Sequence, residues 1–262
     1  MGEIKVLVSG CCGKMGREIV KAVTSNEVMK VVAAVDLNRL GEDVGDVAGC
    51  QTLGVKVESD LAEAIRKYDP EVMIDFTIAE ACEKNLAVAV DHGVRFVSGT
   101  TNMNQEVVNG IFAQANAKKL GGIWAANYAI GAVLMMNFAK IAAKYMPSCE
   151  IIELHHDKKL DSPSGTAKVT ADVIAKARGS SPNVVDASSQ ARGLIVEEVP
   201  IHSIRLKGYV ASQEVLFGGE GQVLSIRHDT IGRESFMPGV VMACRNVMKL
   251  DHVMIGMDSL LS

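Results

Sequence analysis

The stretch Ile4-Lys5-Val6-Leu7-Val8-Ser9-Gly10-Cys11-Cys12-Gly13-Lys14-Met15-Gly16 decides the fold. A short β-branched run leads into three glycines, and a helical pattern then continues from about Lys14 to Thr24. Glycine permits the tight turn and lets backbone N–H groups approach a pyrophosphate, which the positive end of the helix dipole also favours. The stretch therefore predicts a strand, a phosphate-binding turn and a helix.

The glycine spacing is G-x-x-G-x-x-G rather than the commoner G-x-G-x-x-G, so it is not specific by itself. Asp36 ends a second strand-like run about 20 residues later, where a carboxylate would accept hydrogen bonds from the adenosine ribose. The alternative is a structural turn with an incidental acidic residue. Leu37 adds no cation for a 2′-phosphate, although Arg39 or Lys14 could reach one, so we expect NADH at least to be tolerated.

Strand-like runs and helical patterns alternate through the first half of the chain. The runs cover residues 31–35, 72–76 and 95–98, and the helical patterns cover 60–67, 79–91 and 105–118. Apolar strands separated by helices are typical of a parallel sheet covered on both faces. We predict an α/β fold with a Rossmann-type parallel sheet domain at 1–126, completed by a C-terminal helical segment at 234–262.

The second half has a different pattern. A long apolar helix is predicted at Ile130–Tyr145, a polar segment at Glu153–Thr166, and a helix from there to about Ala177. Residues 179–193 are loop-like, and residues 199–229 are strand-like with glycine breaks. These features predict a second α+β domain at 127–233, with a mixed or antiparallel sheet.

Composition excludes several classes of protein. Lysine and arginine number 27 against 31 aspartate and glutamate, giving a net charge of -4, which disfavours nucleic acid and membrane surfaces as partners. The chain has no run of apolar residues long enough to span a membrane and no signal-peptide pattern at its start. Its six cysteines lack metal-ligand spacing. We therefore expect a cytoplasmic protein with reduced thiols and no metal.

The segment from Glu153 to Lys168 concentrates groups that can move protons and bind anions. It contains His155-His156 and Lys158-Lys159, followed by a helix start that Ser162 is expected to cap. A helix N-terminus fronted by cations suits a carboxylate, and a histidine can exchange a proton near neutral pH. A solvated polar loop is the alternative. A metal is less favoured, because adjacent histidine side chains project apart.

This segment resembles the signature of the 4-hydroxy-tetrahydrodipicolinate reductase (dihydrodipicolinate reductase) family. The family pattern E-x-H-H-x-x-K-x-D-x-P-S-G-T-A is met at every fixed position from Glu153 to Ala167. Further stretches similar to the family occur in order along the whole chain, at 10–16, 75–77, 99–101, 126–128 and 236–240.

The resemblance implies hydride transfer from NADH or NADPH to 4-hydroxy-tetrahydrodipicolinate, giving tetrahydrodipicolinate in diaminopimelate and lysine biosynthesis. It implies a small dicarboxylate substrate and a homotetramer, with the second domain, 127–233, responsible for substrate binding and oligomerisation. His155 would be the acid/base residue, Lys159 a proton donor, and His156, Gly165 and Thr166 the residues that hold the substrate carboxylates. The residues expected to bind the cofactor are Gly10, Cys11, Cys12, Gly13, Lys14, Met15, Asp36, Gly99, Thr100, Thr101, Ala125, Ala126, Asn127 and Tyr128.

Four positions depart from the family pattern. Leu37 replaces an arginine that some relatives carry, Asn102 replaces a frequent glycine, Tyr128 a common phenylalanine, and Gln213 a histidine. Two other functions remain open at this point: a different dehydrogenase of the same architecture, and a nucleotide-binding sensor without chemistry. The segment from His155 to Thr166 argues against the first, and the presence of both His155 and Lys159 argues against the second.

Overall fold

The computed structural model describes residues 3–179 and 190–261. The strands of this part are β1 (Ile4–Ser9), β2 (Met29–Val35), β3 (Val57–Glu58), β4 (Val72–Asp75), β5 (Arg95–Ser98), β6 (Gly122–Trp124), β7 (Ser148–His155), β8 (Leu194–Val196), β9 (Val199–Arg205), β10 (Ala211–Gly219), β11 (Gln222–Thr230) and β12 (Val253–Ile255). Its α-helices are α1 (Lys14–Thr24), α2 (Val44–Ala48), α3 (Leu61–Tyr68), α4 (Ala79–Asp91), α5 (Gln105–Ala117), α6 (Ile130–Ala142), α7 (Gly165–Arg178) and α8 (Met237–Val247).

The chain divides into two compact units. Unit 1 contains Met1–Tyr128 and Phe236–Ser262, and unit 2 contains Ala129–Ser235. The sequence places the corresponding boundaries at 126/127 and 233/234. The binding roles assigned to the two domains stay predictions.

Unit 1 is built on a seven-stranded parallel sheet in the order β12-β6-β5-β4-β1-β2-β3. From β3 to β6 this is the 3-2-1-4-5-6 order of dinucleotide-binding folds, in which the strand order reverses beside β1. The sheet is covered on both faces, so the middle of β1, Val6-Leu7-Val8, is fully buried. The predicted Rossmann-type fold is confirmed.

Two helices of unit 1 begin at a side chain that caps them. Asp60 accepts a hydrogen bond from the backbone N–H of Glu63 at 2.9 Å and so fixes the start of α3, and Asn104 caps α5 in the same way. These side chains satisfy N–H groups that the first turn of a helix leaves without partners.

Unit 2 contains a five-stranded mixed sheet in the order β11-β10-β7-β9-β8. β7 is parallel to β9 and antiparallel to β10, and the two outer pairs are antiparallel. Helices α6 and α7 pack on the sheet through a core that includes Met135, Ile151, Ile174 and Phe217. This is the predicted mixed sheet of the second domain.

The structure corrects the predicted helix start in unit 2. The residue that caps α7 is Ser164, whose Oγ accepts from the backbone N–H of Ala167 at 3.2 Å, and not Ser162. The reason is that the N–H of Ser164 is itself held by the Glu153 carboxylate at 3.3 Å.

The loop predicted at 179–193 lies largely outside the described residues. None of the helices in 3–179 and 190–261 is long and apolar enough to cross a membrane.

Candidate active site

The glycine turn leaves the N-terminus of α1 open to an anion. Gly10 has a φ of +74°, a conformation that disfavours other residues, and Gly13 is the N-cap of α1. A Cβ on Gly16 would lie 2.0 Å from the carbonyl oxygen of Gly10, so only glycine allows α1 to approach the turn this closely. Within the described residues no side chain caps α1 and no acidic residue lies in its first turn, which suits a pyrophosphate.

Asp36 lies against this turn at the end of β2. Its Oδ2 accepts from the backbone N–H of Cys12 at 2.9 Å, and its Oδ1 accepts from the backbone N–H of Asn38 at 2.9 Å. Partial burial alone would raise the pKa of Asp36, but these hydrogen bonds lower it below the ordinary value. The carboxylate is therefore anionic at neutral pH and placed to accept from a ribose.

Two residues that follow Asp36 bear on the charge beside it. Leu37 is 84% exposed and uncharged. Arg39 is engaged by Glu42, with its Nη2 2.6 Å from Oε2. An anionic Asp36 repels a 2′-phosphate, and the pairing of Arg39 with Glu42 reduces what Arg39 can offer to offset that repulsion.

Two thiols complete the turn. The sulfurs of Cys11 and Cys12 are 3.9 Å apart, and none of the six cysteines, which all lie in the described residues, forms a disulfide. Burial raises the pKa of both thiols, and the charge of Asp36 raises it further. Ligand atoms of Cys11, Cys12 and Asp36 lie within 4.8 Å of one another. The expectation that no metal binds stays a prediction.

A cavity of about 380 Å³ opens at the carboxyl ends of β4 and β5. It is lined by Met15, Phe76, Thr77, Ile78, Ala79, Gly99, Thr100, Thr101 and Asn102. The structure thus brings the predicted residues Met15 and 99–101 together. Ligands of such sheets bind beyond the carboxyl ends of the strands where the strand order reverses, and the cavity lies at that edge.

A buried carboxylate that we did not predict holds the loops of this cavity. Asp75 is fully buried and accepts from Thr77 Oγ1 at 2.7 Å and from Asn85 Nδ2 at 2.8 Å. Thr100 Oγ1 approaches the same carboxylate at 3.4 Å. Asp75 lies in a stretch similar to the family, but its role depends on contacts across the sheet that sequence spacing does not reveal.

Two departures from the family pattern have a local explanation. Asn102 has a φ of +61°, a left-handed conformation that asparagine tolerates nearly as glycine does. Tyr128 is buried, with its hydroxyl donating to the carbonyl oxygen of Ser98 at 2.8 Å and its ring 5.3 Å from that of Phe76. The Tyr128 side chain therefore belongs to the core of unit 1.

In unit 2, the predicted acid/base residue ends β7. The Nδ1 atom of His155 lies 2.5 Å from Oε2 of Glu153, a fully buried carboxylate two residues earlier on the strand. Arg205 donates to both carboxylate oxygens of Glu153, at 2.7 and 2.9 Å. Burial alone would raise the pKa of Glu153, but its hydrogen bonds from His155, Arg205 and Ser203 lower it to about 2.

The loop that follows carries the other predicted residues. Lys159 forms an ion pair with Asp161 at 2.7 Å, and this pair lowers the pKa of Asp161. His156 is exposed, and Gly165 and Thr166 form the first turn of α7. A Cβ on Gly165 would meet nothing within 4 Å, so open space lies in front of the helix N-terminus. The cluster has the cations and the N–H groups that a dicarboxylate requires.

Gln213, the fourth departure, is buried below α7. Its Nε2 donates to Thr170 Oγ1 at 2.8 Å, and Thr170 in turn donates to the carbonyl oxygen of Thr166 at 2.8 Å. Within the described residues its Oε1 has no hydrogen-bond partner. Gln213 thus keeps a polar contact to the first turns of α7.

A Rossmann-type unit joined to an α+β unit that carries histidine and lysine is typical of nicotinamide-dependent oxidoreductases. Residues 4–128 match the N-terminal domain of dihydrodipicolinate reductase, and residues 131–261 match its C-terminal domain. The chain therefore belongs to the dihydrodipicolinate reductase family.

Individual relatives agree with this assignment. The chain is 44% identical to 4-hydroxy-tetrahydrodipicolinate reductase of Moorella thermoacetica over 265 residues, which covers 100% of this chain and 99% of that protein. It is 43% identical to the enzyme of the same name from Bacillus cereus, over 100% of both chains. The predicted reaction, with NAD(P)H as the hydride donor, is confirmed, as is its place in diaminopimelate and lysine biosynthesis.

Two solved structures illustrate the difference between a member of the family and a protein that shares only the fold. A dipicolinate-bound dihydrodipicolinate reductase from Paenisporosarcina sp. TG-14 superposes with a TM-score of 0.84 at 41% identity, covering 98% of this chain and 99% of that one. An amine dehydrogenase from Mycobacterium smegmatis reaches a TM-score of 0.70 at 13% identity, covering 97% and 95%. The second likeness shows a shared fold and nothing about substrate.

Proposed function

We propose that His155 or Lys159 supplies the proton in the reduction of 4-hydroxy-tetrahydrodipicolinate by NAD(P)H. The 4-hydroxyl group leaves as water, which gives a conjugated imine in the ring. Hydride from the nicotinamide then adds to one end of that conjugated system, and the displaced electron pair appears at the far end. An acid must then deliver a proton there, since water is a poor donor at neutral pH. The observation that carries the proposal is the histidine held by Glu153 in the same loop region as Lys159.

The orientation of His155 supports this role. Because Nδ1 is engaged by a carboxylate, Nε2 is the ring nitrogen that can face a ligand. Lys159 is 22% exposed and is a second candidate donor within the same segment. His155 is the acid/base residue of the proposal, and Lys159 donates to the reacting ring.

The substrate carboxylates would be bound by His156, Gly165 and Thr166. The first turn of α7 offers backbone N–H groups and the positive end of a 14-residue helix to one carboxylate. Dipicolinate, the ligand named for the Paenisporosarcina relative, is a planar dicarboxylate. It is therefore a suitable probe of the same site in this chain.

The dinucleotide would lie on unit 1. Gly10–Met15 would hold the pyrophosphate, Asp36 the adenosine ribose, and 99–101 with 125–128 the remainder of the cofactor. Because Asp36 is anionic and Leu37 is uncharged, we expect the enzyme to accept NADH as a hydride donor. Tyr128 would contribute through its backbone, because its side chain is buried.

We further propose a cytoplasmic homotetramer assembled through the sheets of unit 2. Leu194 on β8 and Val223 and Leu224 on β11 are exposed apolar side chains at the two outer strands of that sheet. Light scattering after size-exclusion chromatography tests the assembly, and a monomer at micromolar chain concentration would exclude it.

The deciding experiment is the oxidation of NADH and, separately, NADPH by the purified protein. The unstable substrate is generated in place from pyruvate and aspartate semialdehyde by the preceding synthase. We expect substrate-dependent oxidation that falls at least about 100-fold in His155→Ala and Lys159→Ala while dinucleotide binding is retained. A variant that keeps near-wild-type turnover removes its residue from the mechanism. Dinucleotide binding without substrate-dependent oxidation of NADH or NADPH would instead support the alternative function, a nucleotide-binding sensor without chemistry.

A further inference from the structure

We infer that Glu153 and Arg205 form a positioning pair that sets the ring of His155 and joins it to the loop of Lys159 and to the start of α7. The inference rests on the proposed role of His155. Glu153 is not expected to touch substrate, because it is fully buried and both oxygens of its carboxylate are occupied by other groups of unit 2. The guanidinium of Arg205 is engaged by Glu153 and by the backbone carbonyl oxygen of Asp161, so we expect it to act through these contacts.

The strand geometry places the pair. Glu153 and His155 are two residues apart on β7, so their side chains project from the same face of the sheet. Arg205 ends the neighbouring parallel strand β9 and is the register partner of His155. The guanidinium thus lies beside the Glu153 carboxylate, with Nη1 2.9 Å from Oε2 and Nη2 2.7 Å from Oε1.

The same two side chains reach the rest of the proposed site. Oε1 of Glu153 also accepts from the backbone N–H of Ser164, the cap of α7, at 3.3 Å. Nη2 of Arg205 also donates to the backbone carbonyl oxygen of Asp161 at 2.7 Å, in the loop that carries Lys159. One ion pair therefore connects the proposed proton donors with the proposed carboxylate-binding turn.

The pairing also defines the proton on His155. A carboxylate at Nδ1 requires a hydrogen on that nitrogen, so Nε2 is the atom that accepts a proton on the neutral ring and donates it from the imidazolium. The arrangement parallels the acid–histidine pairs of hydrolases, in which the acid selects the tautomer of the ring. Stability alone does not call for such a pair, because buried ion pairs are often no more stabilising than well-packed apolar residues.

The test variant is Glu153→Gln. Each carboxylate oxygen faces an N–H of Arg205, so the amide NH₂ of glutamine must oppose a donor in either orientation. We expect kcat to fall about 100-fold, the loss that a misplacement of about 1 Å can cause, with little change in the Kd for NADH. The ¹⁵N signals of His155, assigned by their loss in His155→Ala, should shift from a single Nδ1–H tautomer to a mixture.

Glu150→Gln is the matched control. Glu150 lies on the same strand and pairs with an arginine and a histidine, Arg192 and His202, but none of the three belongs to the proposed site. We expect its turnover to remain within about twofold of wild type. Arg205→Lys is a second test, because it keeps the positive charge but removes the pair of N–H groups that bind both oxygens of Glu153. We expect at least a tenfold loss of kcat.

The outcomes separate the two proposals. If His155→Ala keeps its turnover, the role of His155 fails. If His155→Ala loses turnover while folded Glu153→Gln and Arg205→Lys keep it, the positioning pair is overturned and the role of His155 stands. Loss of kcat with unchanged His155 ¹⁵N signals overturns the pair as well, since it would then act only through the general fold. If Glu153→Gln does not fold, the kcat and the His155 ¹⁵N signals of Arg205→Lys decide whether the positioning pair stands.

Discussion

The backbone N–H of Cys12 and the carboxylate of Asp36 are joined by a hydrogen bond of 2.9 Å, across 24 residues of sequence. The bond ties the glycine turn after β1 to the end of β2 and helps to lower the pKa of Asp36. A carboxylate held in this way carries its full charge at neutral pH. This one contact therefore links the glycine turn to the charge that the proposed ribose-binding site presents.

We expect Leu37→Arg to improve the use of NADPH. The side chain at 37 is 84% exposed, so an arginine there costs no packing and can pair with a 2′-phosphate. A charge-assisted hydrogen bond contributes about 1.5–3 kcal/mol, so the KM for NADPH should fall about tenfold or more. The KM for NADH should change little. Leu40→Arg, at another exposed leucine of the same loop, is the control, and equal effects of the two would show that only overall charge matters.

Bound NADH should protect Cys12 from alkylation. Cys12 is partly exposed at the proposed pyrophosphate and ribose site, and its raised pKa means that iodoacetamide labelling should accelerate as the pH rises above neutrality. Cys50, which follows α2, is also partly exposed with a raised pKa and should be labelled equally with and without NADH. Mass spectrometry of the labelled peptides distinguishes the two. Protection of Cys50 alone would place the dinucleotide elsewhere.

Local patterns predicted several elements to the residue. Helices α1 and α4 and strand β5 begin and end where the sequence indicates, because glycine turns and apolar periodicity mark their ends. Strands β3, β6, β7, β8 and β12 and helix α2 were not predicted. Strands β6 and β12 have three residues each and are stabilised by parallel pairing within the sheet rather than by their own pattern. Strand β7 is the eight-residue central strand of unit 2, and only the polar segment that begins near its end was recognised.

In the site as well, residues of one local segment were predicted, and residues brought in by tertiary contacts were not. His155, Lys159 and Gly165 come from one continuous segment whose residue types signal anion binding and proton transfer. Arg205 gave no such signal, because the register of β7 with β9 alone brings it to Glu153. Asp75 was likewise recognised only as part of a stretch, since its contacts with Asn85 and Thr100 depend on tertiary structure.

Two of the helical glycines, Gly16 and Gly110, should respond oppositely to alanine. A Cβ at Gly16 would lie 2.0 Å from a backbone oxygen that cannot move aside, so Gly16→Ala should cost at least about 2 kcal/mol of unfolding free energy. A Cβ at Gly110 in α5 meets nothing within 4 Å, and Gly110→Ala should stabilise by about 0.5–1 kcal/mol. Urea unfolding measures both, and a stabilised Gly16→Ala would contradict the close approach of α1 to the turn.

Because Glu153 is held as an anion in the fold, the free energy of unfolding should fall as the pH is lowered. Its pKa falls from an ordinary value of 4.5 in the unfolded chain to about 2 in the folded one, so its contribution is complete above about pH 5 and is lost as the pH falls toward 2. The difference corresponds to about 3 kcal/mol. In Glu153→Gln the free energy of unfolding should therefore decline less steeply between pH 5 and pH 2.5 than in the wild type, whatever the two values are at pH 7. Urea titrations at several pH values give the two slopes. Parallel curves would mean that the carboxylate is not held as an anion by Arg205 and His155.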